Sequence, residues 1–196
     1  MIHTDPKTTL AFISSVLLVL GFGPYFRGML KRNTEPHEFT WFLFLLTQGT
    51  ATTILWESGG GKGALSLAVS CLFTAIVFGF SFLDGKRNIT RSDIACLAIA
   101  LAAFPLWLVL KQPLAATLVL TSIDLLAYVP TFRKSFSDPW SEEVLTWTLF
   151  FAGDVFAIAA LEQYTLLTMV YLVSVMSANI AVVLFLLLRR HICCKN

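Results

Sequence analysis

Two acids stand where acids are costly. Of the twelve Asp and Glu residues, only Asp124 and Asp154 fall well inside apolar segments. Each lies roughly ten residues from a helix end, about 15 Å at 1.5 Å per residue. A carboxylate that deep in a bilayer costs at least ~2.5 kcal/mol, so it is protonated, paired or set against a water-filled cavity. No Lys or Arg lies inside an apolar segment to pair with either acid. A carboxyl group that gains and loses a proton as its surroundings change can couple solute movement to proton movement. The competing reading is an acid that packs helices, bonded to Ser122, Thr121 or a backbone carbonyl. Asn179, within SVMSANIAVV, offers an amide at mid-segment that could bond a solute or a neighbouring helix.

Covalent chemistry has no comparable constellation. The histidines His3, His37 and His191 sit at ends and loops without metal spacing. Cys71, Cys96, Cys193 and Cys194 have none either, and a disulfide framework is not expected. Cys193 and Cys194, at a basic C-terminal end, could be acylated or remain plain thiols. The run Gly59–Gly63 lacks the Lys-Ser/Thr ending of a phosphate loop and reads as a flexible turn. Neither metal nor cofactor is expected, and an enzyme is not the favoured reading.

The elements that must position these groups are membrane helices. The sequence is 57% hydrophobic and only 13% charged, against roughly 25% charge in soluble domains. Apolar runs of about 20 residues recur along it, the length a bilayer requires. Seven segments follow: Thr8–Phe26, Glu38–Trp56, Ala64–Leu83, Asp93–Leu110, Pro113–Phe132, Glu143–Leu161 and Thr165–Leu188. Inside lipid each must satisfy its own backbone, so each is expected to be helical. The N-terminal run has only Lys7 against Asp5 before it and no A-x-A-like site after it. It is expected to be a retained first helix rather than a signal peptide.

Basic residues set the orientation. Eleven of the 14 Lys and Arg fall in one set of connections: Arg27, Lys31, Arg32, Lys86, Arg87, Arg91, Arg133, Lys134, Arg189, Arg190 and Lys195. Lys7, Lys62 and Lys111 fall on the other side. Positive loops stay cytoplasmic, so the N-terminus is expected outside and the C-terminus inside. The sequon Asn88-Ile89-Thr90 then lies on the cytoplasmic side and should stay unmodified. Trp41, Trp140 and Trp147 near the inner ends, and Trp56 and Trp107 near the outer ends, read as headgroup-level anchors. The basic residues are explained by topology, so nucleic acid is not implied.

The chain also repeats itself. Pro24–Phe44 (PYFRGMLKRNTEPHEFTWFLF) aligns without a gap on Pro130–Phe150 (PTFRKSFSDPWSEEVLTWTLF) after a shift of 106. Pro24, Phe26, Arg27, Thr40, Trp41, Leu43 and Phe44 meet identical residues. The same shift carries Gln48 onto Asp154, which makes the two candidates for opposite walls of one cavity. Four crossings separate the prolines, so the repeats face the same way. The expected plan is one all-α membrane domain, residues 1–196, with seven transmembrane helices in a 3+1+3 arrangement. Residues 8–83 and 113–188 form two parallel three-helix units, and 84–112 holds the linking helix. Parallel repeats of this kind place a site where the halves meet. Pro24 and Pro130, each within about a turn of the inner helix end, are candidate hinges; either alone would read as a terminator.

This pattern resembles the PQ-loop superfamily, which includes the SWEET sugar transporters, lysosomal cystine and cationic amino-acid exporters and the KDEL receptors. The resemblance covers the whole chain as topology and about 21 residues per half as motif. Tyr25 and Thr131 replace the family's glutamines. Nicotinamide-riboside transporters share the 3+1+3 plan. The resemblance implies a transporter of a small polar solute (sugar, amino acid or nucleoside-like) working by alternating access. Asp154 would take the place of the exporters' proton-coupling acid, and Asn179 that of a substrate-bonding Asn in SWEET-like proteins. The first unit lacks the second Asn, since Phe73 stands at its position, and the mid-depth Trp of the sixth helix is absent. Both gaps weaken a sugar substrate. The rival is a seven-helix receptor or sorting adaptor that binds without transport. The expected partners are the bilayer and a small solute; homo-oligomerisation is left open.

Overall fold

A computed structural model describes residues 5–34, 36–82, 90, 91, 94, 95, 97–99, 101 and 112–193. The chain is all-helical, with no strand among the described residues. In order come α1 (Pro6–Leu30), α2 (Glu38–Glu57) and α3 (Lys62–Ser81). Helical residues at 91, 94, 95, 97–99 and 101 represent α4. Then follow α5 (Pro113–Ser137), α6 (Val144–Ala159) and α7 (Leu166–Cys193). Most of the expected fourth segment, Asp93–Leu110, lies outside the described residues, as do Trp107 and the sequon's Asn88 and Ile89.

Four helices, α1, α3, α5 and α7, are long and apolar enough to cross a membrane. α2 and α6 fall short for different reasons. α6 has only 16 residues, about 24 Å at 1.5 Å per residue. α2 is diluted by threonines and Gln48. Three of its threonines are self-satisfied: Thr50, Thr52 and Thr53 donate to the carbonyls of Leu46, Gln48 and Gly49 one turn back, at 2.9, 2.7 and 3.2 Å. A helix can so keep polar side chains without stranding donors in an apolar medium.

Several helix ends differ from the sequence expectation. α1 runs to Leu30 and α5 to Ser137, so Pro24 and Pro130 lie inside helices rather than at their last turn. Neither proline terminates its helix. Each removes one main-chain donor with more than a turn of helix still to come. α1 starts at Asp5, whose side chain accepts from the Lys7 amide at 3.2 Å, with Pro6 pre-set in the first turn.

In chain order the six long helices form a first trio, α1–α3, and a second, α5–α7. α3 packs against both α1 and α2; α7 packs against both α5 and α6. The trios meet through α1 on α6 and through α2 on α5. The α1–α6 seam is antiparallel and pinned at intervals of seven residues on α1. Lys7 Nζ donates to Ala159 O at 2.8 Å, Ser14 Oγ to Gly153 O at 2.7 Å, and Thr146 Oγ1 to Gly21 O at 2.9 Å. Seven residues are close to two turns, so all three bonds lie on one face of α1. Gly153 permits the approach: a Cβ there would fall 2.8 Å from Leu18 Cγ.

Aromatic rings fill the middle. Phe22 of α1 lies 4.7 Å from Phe150 of α6, and Tyr128 of α5 lies 4.7 Å from Phe44 of α2. Phe22–Trp41 (6.2 Å) and Tyr128–Trp147 (5.9 Å) form a second matched set. Trp41–Phe44 (5.8 Å) and Trp147–Phe150 (6.0 Å), both edge-on, form a third. In all three sets the shift of 106 carries one contact onto the other.

Two expectations are corrected by these contacts. Trp41 and Trp147 are not headgroup anchors but core residues, 3% and 2% exposed. Their indole N–H groups have internal acceptors, Tyr25 OH and Glu142 Oε2, both at 3.1 Å. Trp56 and Trp140 are half exposed or more, as anchors require. The glycine run is a packed turn rather than a flexible one. Gly61 has φ +54°, and a Cβ on it would meet the Glu162 carboxylate.

Each end of the bundle holds an ion pair. At one end Lys62 pairs with Asp5, and Lys7 meets Tyr164. The Lys62 ammonium, hydrogen-bonded to the exposed Asp5, holds that carboxyl below the usual carboxylate range. At the other end Lys134 and Glu142 form a buried ion pair at 2.7 Å. Arg190 donates there to the carbonyls of Pro139 and Glu142, and Arg189 to that of Phe136.

Candidate functional site

A narrow cavity lies between the two trios, lined from α1, α2, α3, α5, α6 and α7. Its volume is about 30 Å³, room for one or two waters. Six rings bound it: Phe22, Trp41, Phe44, Tyr128, Trp147 and Phe150. Gln48, Asp154 and Asn179 supply the polar wall together with Ser66, Ser70 and Thr74. No Lys, Arg or His lines it among the described residues.

The polar groups are ordered by one another. Tyr128 OH donates to Asn179 Oδ1 at 2.9 Å, and Asn179 Nδ2 donates to Asp154 Oδ2 at 2.7 Å. The amide is thus fixed from both ends, and its orientation follows from having a donor on one side and an acid on the other. Asp154 Oδ1 receives no hydrogen bond from the described residues. Across the cavity Thr74 Oγ1 donates to Gln48 Oε1 at 3.2 Å. Its Nε2 makes no bond among the described residues.

Of the four residues singled out as substrate-binding candidates, the structure brings three to the cavity: Gln48, Asp154 and Asn179. Asp124 is elsewhere. Its Oδ1 accepts from Thr47 Oγ1 and, at 3.2 Å, from Tyr171 OH, in a buried knot joining α2, α5 and α7. Neither Ser122 nor Thr121 serves it; their hydroxyls cap Leu118 O and Thr117 O on their own helix. Asp124 thus ties α5 to α2 and α7 rather than lining the cavity.

Tyr128 was not anticipated. Its repeat counterpart is Phe22, and that of Asn179 is Phe73, where the first trio has stacked rings 5.3 Å apart instead of a hydrogen bond. At this pair of positions the first trio offers rings and the second a hydrogen bond, while both halves contribute polar lining: Gln48, Ser66, Ser70 and Thr74 from the first, Asp154 and Asn179 from the second. The matched Trp and Phe positions of the repeat were the available signal for the rings. The Lys134–Glu142 pair left no such signal, because Gly28 and Pro36 stand at the corresponding positions.

No family model, no curated protein and no solved structure matches the chain. The functional reading therefore rests on the chain's own residues and geometry.

Proposed function

We propose that the chain is a multi-pass membrane transporter of a small polar solute, built from two parallel three-helix repeats linked by α4. The observation that carries this reading is the matched packing of the trios around one polar-walled cavity. α1–α3–α2 corresponds to α5–α7–α6, and the three ring contacts recur under the same shift as the sequence repeat. The charge distribution supports a cytoplasmic C-terminus. Arg27, Lys31, Arg32, Arg133, Lys134, Arg189 and Arg190 belong to the end that carries the α1–α2 and α5–α6 connections, against Lys7 and Lys62 at the other.

In this reading the cavity is closed in the present conformation, and solute is admitted when the trios rock apart. Pro24 and Pro130, inside α1 and α5, lie where such a motion needs helices to bend. Asp154 is the group available to exchange a proton with the changing surroundings. Uptake by purified protein in proteoliposomes under an imposed pH gradient tests the proposal across a panel of sugars, amino acids, nucleosides and small amines. Saturable, gradient-dependent flux of at least one member is expected. Saturable binding without flux would instead identify a receptor or sorting adaptor.

A further inference from the structure

The lining of the cavity carries one charge-bearing group and spends most of its hydrogen-bond donors elsewhere. Trp41 Nε1 and Trp147 Nε1, which could have served a solute, are committed to Tyr25 and Glu142. Tyr128 OH is committed to Asn179, and Asn179 Nδ2 to Asp154. What remains among the described lining residues is aromatic faces, Asp154 Oδ1, the Gln48 amide nitrogen and the Ser70 hydroxyl. Aromatic faces are negative and attract ammonium or guanidinium groups. A buried carboxylate without a cation is expensive. Among the described residues no basic side chain lines the cavity to satisfy it.

We infer that the cavity takes a small organic cation, its charged centre held by Asp154 and the surrounding rings and its uncharged polar end reaching Gln48. The inference deepens the transporter reading and rests on it. Anionic solutes are disfavoured, since they would face Asp154 with no counter-charge. Neutral sugars would leave the carboxylate unpaired. The present volume, about 30 Å³, is too small for any of these, so binding accompanies separation of the trios.

Choline and its uncharged carbon isostere, 3,3-dimethylbutan-1-ol, make the test. Binding to the full chain in detergent is followed by tryptophan fluorescence, because Trp41 and Trp147 border the site. Choline is expected to quench saturably and to bind at least about tenfold tighter than the isostere, a difference of about 1.4 kcal/mol. Asp154→Asn should abolish that preference. Gln48→Glu adds a second carboxylate at the repeat-related wall and should tighten choline several-fold, a gain that misfolding cannot mimic. Equal binding of the two compounds, or choline binding unaffected by both substitutions, overturns the cation assignment. Saturable uptake of a neutral solute with no preference for charge overturns it too, while leaving transport standing. Absence of saturable binding and flux for every cation and neutral solute tried overturns both readings.

Discussion

The ring of Tyr128 lies 4.7 Å from that of Phe44, and the pair repeats, after a shift of 106, the 4.7 Å contact between Phe22 and Phe150. The interplanar angles agree as well, 59° and 56°. The two contacts differ in one atom's worth of chemistry. Tyr128 carries a hydroxyl, and that hydroxyl reaches Asn179. Within a shared aromatic frame, this hydroxyl and the Asn179 that replaces Phe73 add a hydrogen bond that the first half lacks.

Removing that hydroxyl should separate structure from function. Tyr128→Phe restores the side chain of the first half, so the ring packing with Phe44 and Trp147 is expected to persist. The cost is the lost bond plus an unsatisfied buried Asn179 carbonyl, about 1–3 kcal/mol. Asn179 is then free to turn away from Asp154. Cation affinity should fall by roughly tenfold, a 1.4 kcal/mol change, with the far-ultraviolet circular dichroism unchanged. Unaltered affinity would mean that the Tyr128–Asn179–Asp154 chain does not orient the acid.

Parallel repeats make a topological prediction that needs no substrate. Lys31 and Ser137 are both exposed, lie at the ends of α1 and α5, and are related by the same shift of 106. Glu162 is exposed at the opposite end of the bundle. In a background without native cysteines, Lys31→Cys and Ser137→Cys should react with an impermeant maleimide from one face only. Glu162→Cys should react from the other face. Labelling of the first two from opposite faces would end the parallel arrangement.

What could be read before the structure, and what could not, divides along physical lines. Of the positions that the shift of 106 matches, Trp41 and Trp147, and Phe44 and Phe150, carry ring contacts. The same shift paired Gln48 with Asp154, and both line the cavity. Depth in a segment was legible, but azimuth was not. Asp124 and Asp154 sit at similar depth, yet one faces Thr47 and Tyr171 and the other the cavity; packing alone decides this. Trp41 and Trp147 were misread for a related reason. A Trp near a helix end suits the headgroup layer, and only the internal acceptors Tyr25 and Glu142 reveal a core role. Lys134, counted as a loop charge, is buried with Glu142, because a hydrophobicity profile cannot see that α5 continues to Ser137.

The two seams between the trios are held unequally. α1–α6 carries three bonds from side chains to backbone carbonyls, at Lys7, Ser14 and Thr146. Thr40 is the counterpart of Thr146, and its Oγ1 is buried without a partner among the described residues. On α2–α5 the seam is held instead by Thr47 and Asp124. The better-bonded seam is expected to act as the pivot and the other to open. Gly21→Cys with Leu149→Cys places a disulfide on α1–α6, where a Cβ on Gly21 would lie 3.2 Å from Leu149 Cβ. Its counterpart on α2–α5 is Ala127→Cys with Leu43→Cys. Oxidation of the first pair should spare most uptake, and oxidation of the second should abolish it, reversibly on reduction. The opposite pattern would exchange the roles of the seams.

Proton and cation should compete for one carboxylate. Asp154 has Asn179 as its one hydrogen-bond donor among the described residues, so either a proton or a cationic solute must complete it. The titratable neighbours are few. α5 contributes Asp124 and Tyr128, both buried, while α1, α3 and α7 bring no charged side chain to the cavity lining. Asp124 is engaged by Thr47 and Tyr171, and Tyr128 by Asn179. Lowering the pH fills Asp154 with a proton and excludes the cation; raising it frees the site. Apparent choline affinity should therefore rise with pH, approaching about tenfold per unit where the proton occupies most of the sites, a step of 1.4 kcal/mol per unit. An outward proton flux should accompany cation uptake in proteoliposomes carrying a pH-sensitive dye. Asp154→Asn should flatten the affinity profile, whereas Asp124→Asn should leave its slope intact. A profile that flattens with Asp124→Asn and survives Asp154→Asn would move the proton site from the cavity wall to the α2–α5 seam.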